Sequence, residues 1–333
     1  MTSYDKNKFA FDWLGVTQYH KAGYRGKGIK ILVYDWDFVV SGTTMKNNIV
    51  PIANSGLARS RFNGKWEDHG MNTCSIIHQI APEAEIHFAA IQHMSIYKMI
   101  EYARDNKMDI TNLSMMMPSP RTIGKVAQEC VDMGLLLFAA AGNSGGEGVT
   151  WPASKATFTA VGAGFVNQIT GEPGRAIYSS IGEELVVMGY TGLDAEYFGG
   201  TFKRYTGTSC ACPALVATIA LYINAHGKLN TSQARDMFEK ECVDMHTPGM
   251  DTQTGYGMFR LPKLEGDDGE MKEKEIVLMI DNPIMTVNGV RVKMDTEPII
   301  HNGRTMVPVS FIAREFGLDV QWNPQTREVT IRG

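Results

Sequence analysis

The 333-residue chain has little of what would tie it to nucleic acid, a bilayer or a disulfide scaffold. Its 32 Lys and Arg against 36 Asp and Glu leave a net charge of −4, too balanced for a nucleic-acid or anionic-membrane partner. No apolar run approaches the roughly 20 residues that cross a bilayer, so no membrane span is expected. The opening residues, Met1-Thr2-Ser3-Tyr4-Asp5-Lys6-Asn7-Lys8, lead into no apolar core of a signal peptide. The five cysteines (Cys74, Cys130, Cys210, Cys212, Cys242) are odd in number and fit neither a disulfide framework nor a zinc site. Even the Cys210-x-Cys212 pair reads as buried small hydrophobes, and no metal-ligand set is expected. Twenty methionines, which oxidise readily, favour a reducing compartment. A cytoplasmic location is therefore favoured, or a secreted one if a leader has been removed. There is no convincing internal repeat.

What is present is an apolar-rich chain, 44% hydrophobic, long enough for one large domain with a small one attached. Strand-like and helix-like stretches alternate. Gly28–Tyr34, Ile86–Ile91, Asp109–Met115 and Leu135–Ala141 read as strands. Met71–Ile80, Ile96–Asn106 and Thr122–Met133 read as helices. Such alternation predicts a mostly parallel sheet covered on both faces, with functional residues at the carboxyl ends of its strands. Pro213–Leu221 is apolar all round and predicts a buried central helix, with Pro213 in its first turn. Residues 263–275 hold three lysines and six acids and read as a solvated acidic linker over 265–275. Residues 276–333 balance six basic against six acidic residues and predict a compact small α/β unit. Its expected strands are Ile276–Ile280, Val290–Met294 and Val329–Ile331, with a helix over Val309–Phe316 stopped by Gly317.

Three short segments carry chemistry: Val33-Tyr34-Asp35, Asp68-His69-Gly70 and Gly207-Thr208-Ser209. A serine hydroxyl is a poor nucleophile at neutral pH. It needs a base to take its proton, and the base needs a carboxylate to orient it. Each residue alone reads as a turn, a cap or core filler; the three together do not. The remaining histidines (His20, His78, His87, His93, His226, His246, His301) lack any such context and read as surface or core filler.

From about residue 13 to residue 264, these segments resemble the subtilisin-like (subtilase) serine protease family, whose Asp, His, Ser order they share. Gly23-Tyr24-Arg25-Gly26-Lys27-Gly28-Ile29 is similar to the family's entry to its first catalytic strand. Ala139-Ala140-Ala141-Gly142-Asn143, Trp151-Pro152-Ala153-Ser154, Ala160-Val161-Gly162-Ala163 and Gly255-Tyr256-Gly257 resemble further family segments in the same order. The resemblance implies a three-layer α/β fold and peptide-bond hydrolysis. Ser209 would be the nucleophile, His69 the base, Asp35 its orienting carboxylate and Asn143 the oxyanion donor. It implies substrate contacts from Asn112, Leu113, Ser114, Met115 and Met116 on a pairing strand, and from Ala141 and Gly142. No cofactor is implied for the chemistry. The family commonly binds structural calcium, but no calcium loop is readable here. Family members often carry a pro-segment, and what precedes Trp13 is too short for a folded one.

The departures from the family pattern define the alternatives. Trp36 and Asp37 stand where the family has a small residue and glycine. If the strand persists, Asp37 would face the same way as Asp35 and couple to it. Met71-Asn72-Thr73-Cys74 replaces Thr-His-Val-Ala, Cys210 replaces a methionine, and Met188-Gly189-Tyr190 replaces Ala-Pro-Gly. Met116 stands where a glycine usually borders the first specificity pocket, and could narrow it or simply pack. A pseudoprotease that binds peptides or a partner is the second reading, and redox control through Cys74, Cys210 and Cys212 a third. Residues 276–333 resemble the copper amine oxidase N-terminal-like (stalk) domain, through Val287-Asn288-Gly289-Val290, Asn302-Gly303-Arg304-Thr305-Met306-Val307-Pro308-Val309 and Phe316-Gly317-Leu318-Asp319-Val320-Gln321-Trp322. His301 is its only histidine, so a binding or spacing role is expected rather than copper chemistry.

Overall fold

A computed structural model describes residues 3–117, 123–264, 276–287, 289–315 and 318–332. The chain divides into two compact units, Met1–Lys263 and Leu264–Gly333. The expected linker over 265–275 lies outside the described residues, as do Phe316 and Gly317 at the end of the last expected helix.

The larger unit begins with helices α1 (Ser3–Trp13) and α2 (Val16–Lys21). Its strands are β1 (Lys30–Asp35), β2 (Ile49–Ile52), β3 (Ser60–Phe62), β4 (Lys65–Glu67), β5 (Glu85–Ala90), β6 (Ile110–Leu113), β7 (Leu136–Ala140), β8 (Thr159–Val166), β9 (Pro173–Arg175), β10 (Leu185–Tyr190), β11 (Leu193–Tyr197), β12 (Thr201–Tyr205), β13 (Cys242–Val243) and β14 (Met258–Phe259). Between them lie α3 (His69–Ile80), α4 (Ile96–Asp105), α5 (Ile123–Asp132), α6 (Thr208–His226) and α7 (Thr231–Glu241). The main sheet runs β13-β14-β10-β8-β7-β6-β1-β5-β2, with β9 pairing on β8. Its pairings are parallel except β8 with β9 and β13 with β14.

Central strands are apolar and buried because both faces are covered. One face packs Leu32, Tyr34, Leu113, Leu137 and Ala139 against Ile96, Met99 and Ile100 of α4 and Val126, Ala127 and Cys130 of α5. On the other, α3 and α6 lie side by side against the sheet. Among the described residues α6 alone is long and apolar enough to cross a membrane, but 78% of its most apolar window is buried in this unit. Pro213 sits in the second turn of α6 rather than the first, because the helix already starts at Thr208. Lacking an N–H, Pro213 gives no helical hydrogen bond to the Ser209 carbonyl.

The chain order places the switch point of the sheet at β1: β5 pairs on one side of it and β6 on the other. A crevice opens at the carboxyl ends of strands beside such a point. Gly70 brings the start of α3 against it, since a Cβ there would fall 2.1 Å from the Trp36 carbonyl oxygen.

The smaller unit holds a three-stranded antiparallel sheet of β15 (Ile276–Val277), β16 (Ile284–Val287) and β17 (Val290–Lys293). Hairpin β18 (Ile299–His301) with β19 (Arg304–Met306), helix α8 (Val309–Glu315) and hairpin β20 (Asp319–Asn323) with β21 (Glu328–Arg332) follow. Its core is small: Met285, Val287 and Met294, with Ile276, Leu278, Val292 and Phe311 against them.

Candidate active site

Asp35 ends β1 and is fully buried. Its Oδ1 accepts from the Trp36 N–H at 2.7 Å, and its Oδ2 from the Thr73 hydroxyl at 3.0 Å. His69 opens α3, and its Nδ1 lies 2.7 Å from Asp35 Oδ1. Nδ1 therefore carries the proton, and Nε2 is left as the acceptor of the neutral ring. Burial works against the charged imidazole. The charge and hydrogen bond of Asp35, with Glu67 behind them, outweigh it and raise the pKa above the ordinary 6.5. One turn on from His69, Thr73 shares its helix face and completes the coordination of the carboxylate.

Ser209 lies in the first turn of α6, after Gly207 at φ +99°. That left-handed conformation favours glycine. Tyr178 and Thr191 fix the turn: the Gly207 N–H donates to the Tyr178 hydroxyl at 3.1 Å, and its carbonyl accepts from the Thr191 hydroxyl at 3.1 Å. The Ser209 hydroxyl donates to the Ser114 carbonyl at 2.9 Å. His69 Nε2 instead meets the Tyr205 hydroxyl at 3.1 Å.

Asn143 follows β7 and is exposed. Its Oδ1 accepts from the Thr208 N–H at 2.9 Å and the Thr208 hydroxyl at 3.1 Å. Those two donors fix the Oδ1 end of the amide on Thr208 and leave the NH₂ group to other acceptors.

The structure thus gathers Asp35, His69, Ser209 and Asn143 at one end of the sheet. Four of the expected substrate contacts are buried. Asn112 and Leu113 lie inside β6, fully buried and laddered to β1 and β7, so they have no free edge to offer. Ala141 and Gly142 are buried too. The Ala141 N–H donates to Val161 and the Gly142 N–H to the Thr208 hydroxyl. They precede Asn143 and hold its backbone in place. Beyond β6, Ser114 stays buried, Met115 and Met117 pack on the core, and Met116 is 62% exposed. The expected coupling of Asp37 to Asp35 is corrected. β1 ends at Asp35, and Asp37 turns to the N–H groups of Phe38 and Gly56 and to His93.

Tyr205 is a site residue that sequence reasoning missed. So is Thr73, for which a signal existed: a polar residue one turn after His69, where the resembled pattern has valine.

The model of the Subtilase family matches residues 26–257, more than half of the chain. The chain belongs to the subtilase family. A second model, the copper amine oxidase N-terminal domain, matches residues 269–331. Among curated proteins, this subtilase is 29% identical over 245 residues to Subtilisin NAT of Bacillus subtilis subsp. natto, covering 66% of the chain and 62% of that protein. It is 29% identical over 282 residues to Minor extracellular protease Epr of Bacillus subtilis (strain 168), covering 78% of the chain and 42% of Epr. The subtilase thus spans less than two thirds of the length of these relatives. Among solved structures, Prenylagaramide maturation protease PagA shares the fold with a TM-score of 0.60 at 19% identity, over 74% of this chain and 95% of PagA. The expected subtilisin-like α/β fold with a small C-terminal module is the fold of this chain.

Proposed function

We propose that the larger unit is a serine endopeptidase acting through an Asp35–His69–Ser209 triad. The observation that carries this reading is the 2.7 Å contact between His69 Nδ1 and the buried Asp35 carboxylate, on the helix packed beside the one that bears Ser209. Ser209 Oγ attacks the scissile carbonyl while its proton passes to His69 Nε2. The C–N bond then breaks, and the imidazolium returns that proton to the leaving amine. Water, deprotonated in turn by His69, cleaves the acyl-enzyme and restores the serine. The oxyanion is met by the Asn143 NH₂ group and by the Ser209 N–H, which has no intrahelical acceptor in the first turn of α6.

The chemistry needs no cofactor. The substrates are peptides or proteins, and Ser114, Met115 and Met116 border the cleft. Structural calcium fits the family, and among the described residues no group of three or more His, Cys, Asp or Glu gathers as a metal site. The C-terminal unit is a binding or spacing module. Its partner is the part of the function furthest from the chemistry.

One observation favours the second reading, a catalytically impaired peptide- or partner-binding protein: His69 Nε2 faces Tyr205, not Ser209. Labelling with a fluorophosphonate, followed by peptide mapping, separates the two readings. Label on Ser209 that is lost in Ser209→Ala supports the peptidase. Folded wild type and folded Tyr205→Phe that both stay unlabelled, with any inhibiting segment excluded, support the binding protein.

A further inference from the structure

The atom that must take the Ser209 proton is already occupied. His69 Nε2 lies 3.1 Å from the Tyr205 hydroxyl, while Ser209 Oγ donates elsewhere, to the Ser114 carbonyl. The two rings meet edge to face, with centroids 5.6 Å apart and planes at 88°. Tyr205 is buried, and its oxygen lies 3.4 Å from the Thr73 hydroxyl. Burial and the charge of Asp35 hold its proton well above the usual tyrosine range. A neutral phenol, not a phenolate, therefore faces the imidazole. Because Nδ1–H is engaged by Asp35, Nε2 of the neutral ring accepts and the phenol donates.

We propose that Tyr205 occupies the leaving-group position of the cleft, so that a substrate must extend beyond the scissile bond on that side to displace it and free His69 for Ser209. The inference rests on the reading of Ser209 as nucleophile. One lone pair on Nε2 serves one strong donor, and here the phenol holds it. A leaving nitrogen must come within hydrogen-bond reach of the same atom to be protonated, and the phenol oxygen fills that space.

The surroundings allow it to leave. The turn after Tyr205 is pinned at Gly207 by Tyr178 and Thr191. β12 itself is one strand of a two-stranded ribbon, with Thr201, Lys203 and Arg204 exposed. The ribbon itself is held on α3 through β11, where the Glu196 N–H donates to the Ser75 hydroxyl and its carbonyl accepts from Asn72, so the phenol leaves by rotation of its own side chain while α6 and Ser209 stay in place. Hydrolysis gated in this way discriminates in favour of peptides that bring residues to both sides of the bond.

The test compares two reactions in wild type and Tyr205→Phe, with Ser209→Ala as the blank. One is labelling by a fluorophosphonate, whose leaving group is fluoride and which brings nothing to the leaving-group side. The other is cleavage of a quenched peptide extended on both sides. Losing a competing neutral hydrogen bond should speed labelling about fivefold to tenfold and raise the ratio of labelling to peptide cleavage. Labelling that is unchanged in folded Tyr205→Phe overturns the gate. Labelling that collapses overturns it too, and makes the phenol a proton relay. The ¹⁵N resonance of His69 Nε2 gives a readout independent of turnover. It should move in Tyr205→Phe, and a fixed resonance means the phenol never held the atom. If neither folded protein labels, the nucleophile reading fails and takes the gate with it.

Discussion

His69 Nδ1 stands 2.7 Å from Asp35 Oδ1, and that carboxylate meets no solvent. The pair decides how the site responds to pH. Burial opposes the imidazolium, but Asp35 and then Glu67 more than offset it, so the pKa of His69 lies above 6.5. The base works only when neutral, so activity should rise as pH climbs through that raised value. Stability runs the other way: the contribution of this ion pair is complete below 6.5 and fades as pH passes the folded-state value. We expect kcat/KM for a peptide to fall on the acid side with a midpoint above 6.5. Asp35→Asn should lower that midpoint and reduce kcat on the order of 10⁴-fold, as loss of the orienting carboxylate does in such triads. A wild-type midpoint at or below 6.5 contradicts the account.

Asn143 supplies a donor whose orientation is set by Thr208. Asn143→Leu should lower kcat about 10²–10³-fold with a small change in KM, because the amide acts on charge that exists only in the transition state. A change confined to KM would mean that it binds ground-state substrate instead.

Gly70 gives the sign of a packing effect. Alanine is the better helix former by about 1 kcal/mol, so Gly70→Ala on a free helix surface would stabilise. Here the new Cβ would meet the Trp36 carbonyl oxygen at 2.1 Å. Relieving that overlap by moving α3 away from β1 should cost about 1–3 kcal/mol, and should carry His69 off Asp35. Urea unfolding of the larger unit, followed together with activity, checks both. A stabilised, active variant removes the close approach.

These residues also show what the sequence made legible. Alternating periods identified β1, α4, β6 and β7 within a residue or two, because each is bound by strong turn signals and buried on one face or both. The proposed triad stood out because its three chemistries sit at element borders. What could not be read was where side chains beyond those borders point. The β3–β4 hairpin, too short and too exposed for a periodic signal, carries Arg59 close behind it. Arg59 ties to Asp68 at 2.8 Å and lies over the rings of Trp66 and Phe198. Asn112 and Leu113 looked available because their segment matched a substrate strand, yet laddering on both sides closes them off. Tyr205, four residues before Ser209, gave no local sign that its hydroxyl would reach His69. That contact depends on β12 folding back on β11, a pairing set by tertiary structure.

The thiols bear on redox control. Burial pushes Cys210 up to about 11 and Cys130 likewise, and raises Cys74, Cys212 and Cys242. The thiolate is the reactive form, so the native protein should alkylate slowly with iodoacetamide at pH 8 and react at all five cysteines only once unfolded. Activity should be the same with and without reductant. Rapid labelling of Cys74, Cys210 or Cys212 in the folded state would revive the thiol switch.

Met116 differs from its neighbours in what it touches. Met115 and Met117 are packed on the core, while Met116 is 62% exposed at the exit of β6, where the family usually has glycine at the rim of the first specificity pocket. Removing its side chain takes nothing from the core, so Met116→Gly should leave the unfolding midpoint of the larger unit nearly unchanged. It should open the rim to larger side chains. Admitting or excluding a few methylenes in an apolar pocket changes kcat/KM by about 10–200-fold. We therefore expect at least about a tenfold gain for peptides with an aromatic residue before the scissile bond, relative to those with alanine. Profiling both proteins on one peptide library measures that ratio directly. An identical profile means that Met116 covers no pocket and its exposure is incidental.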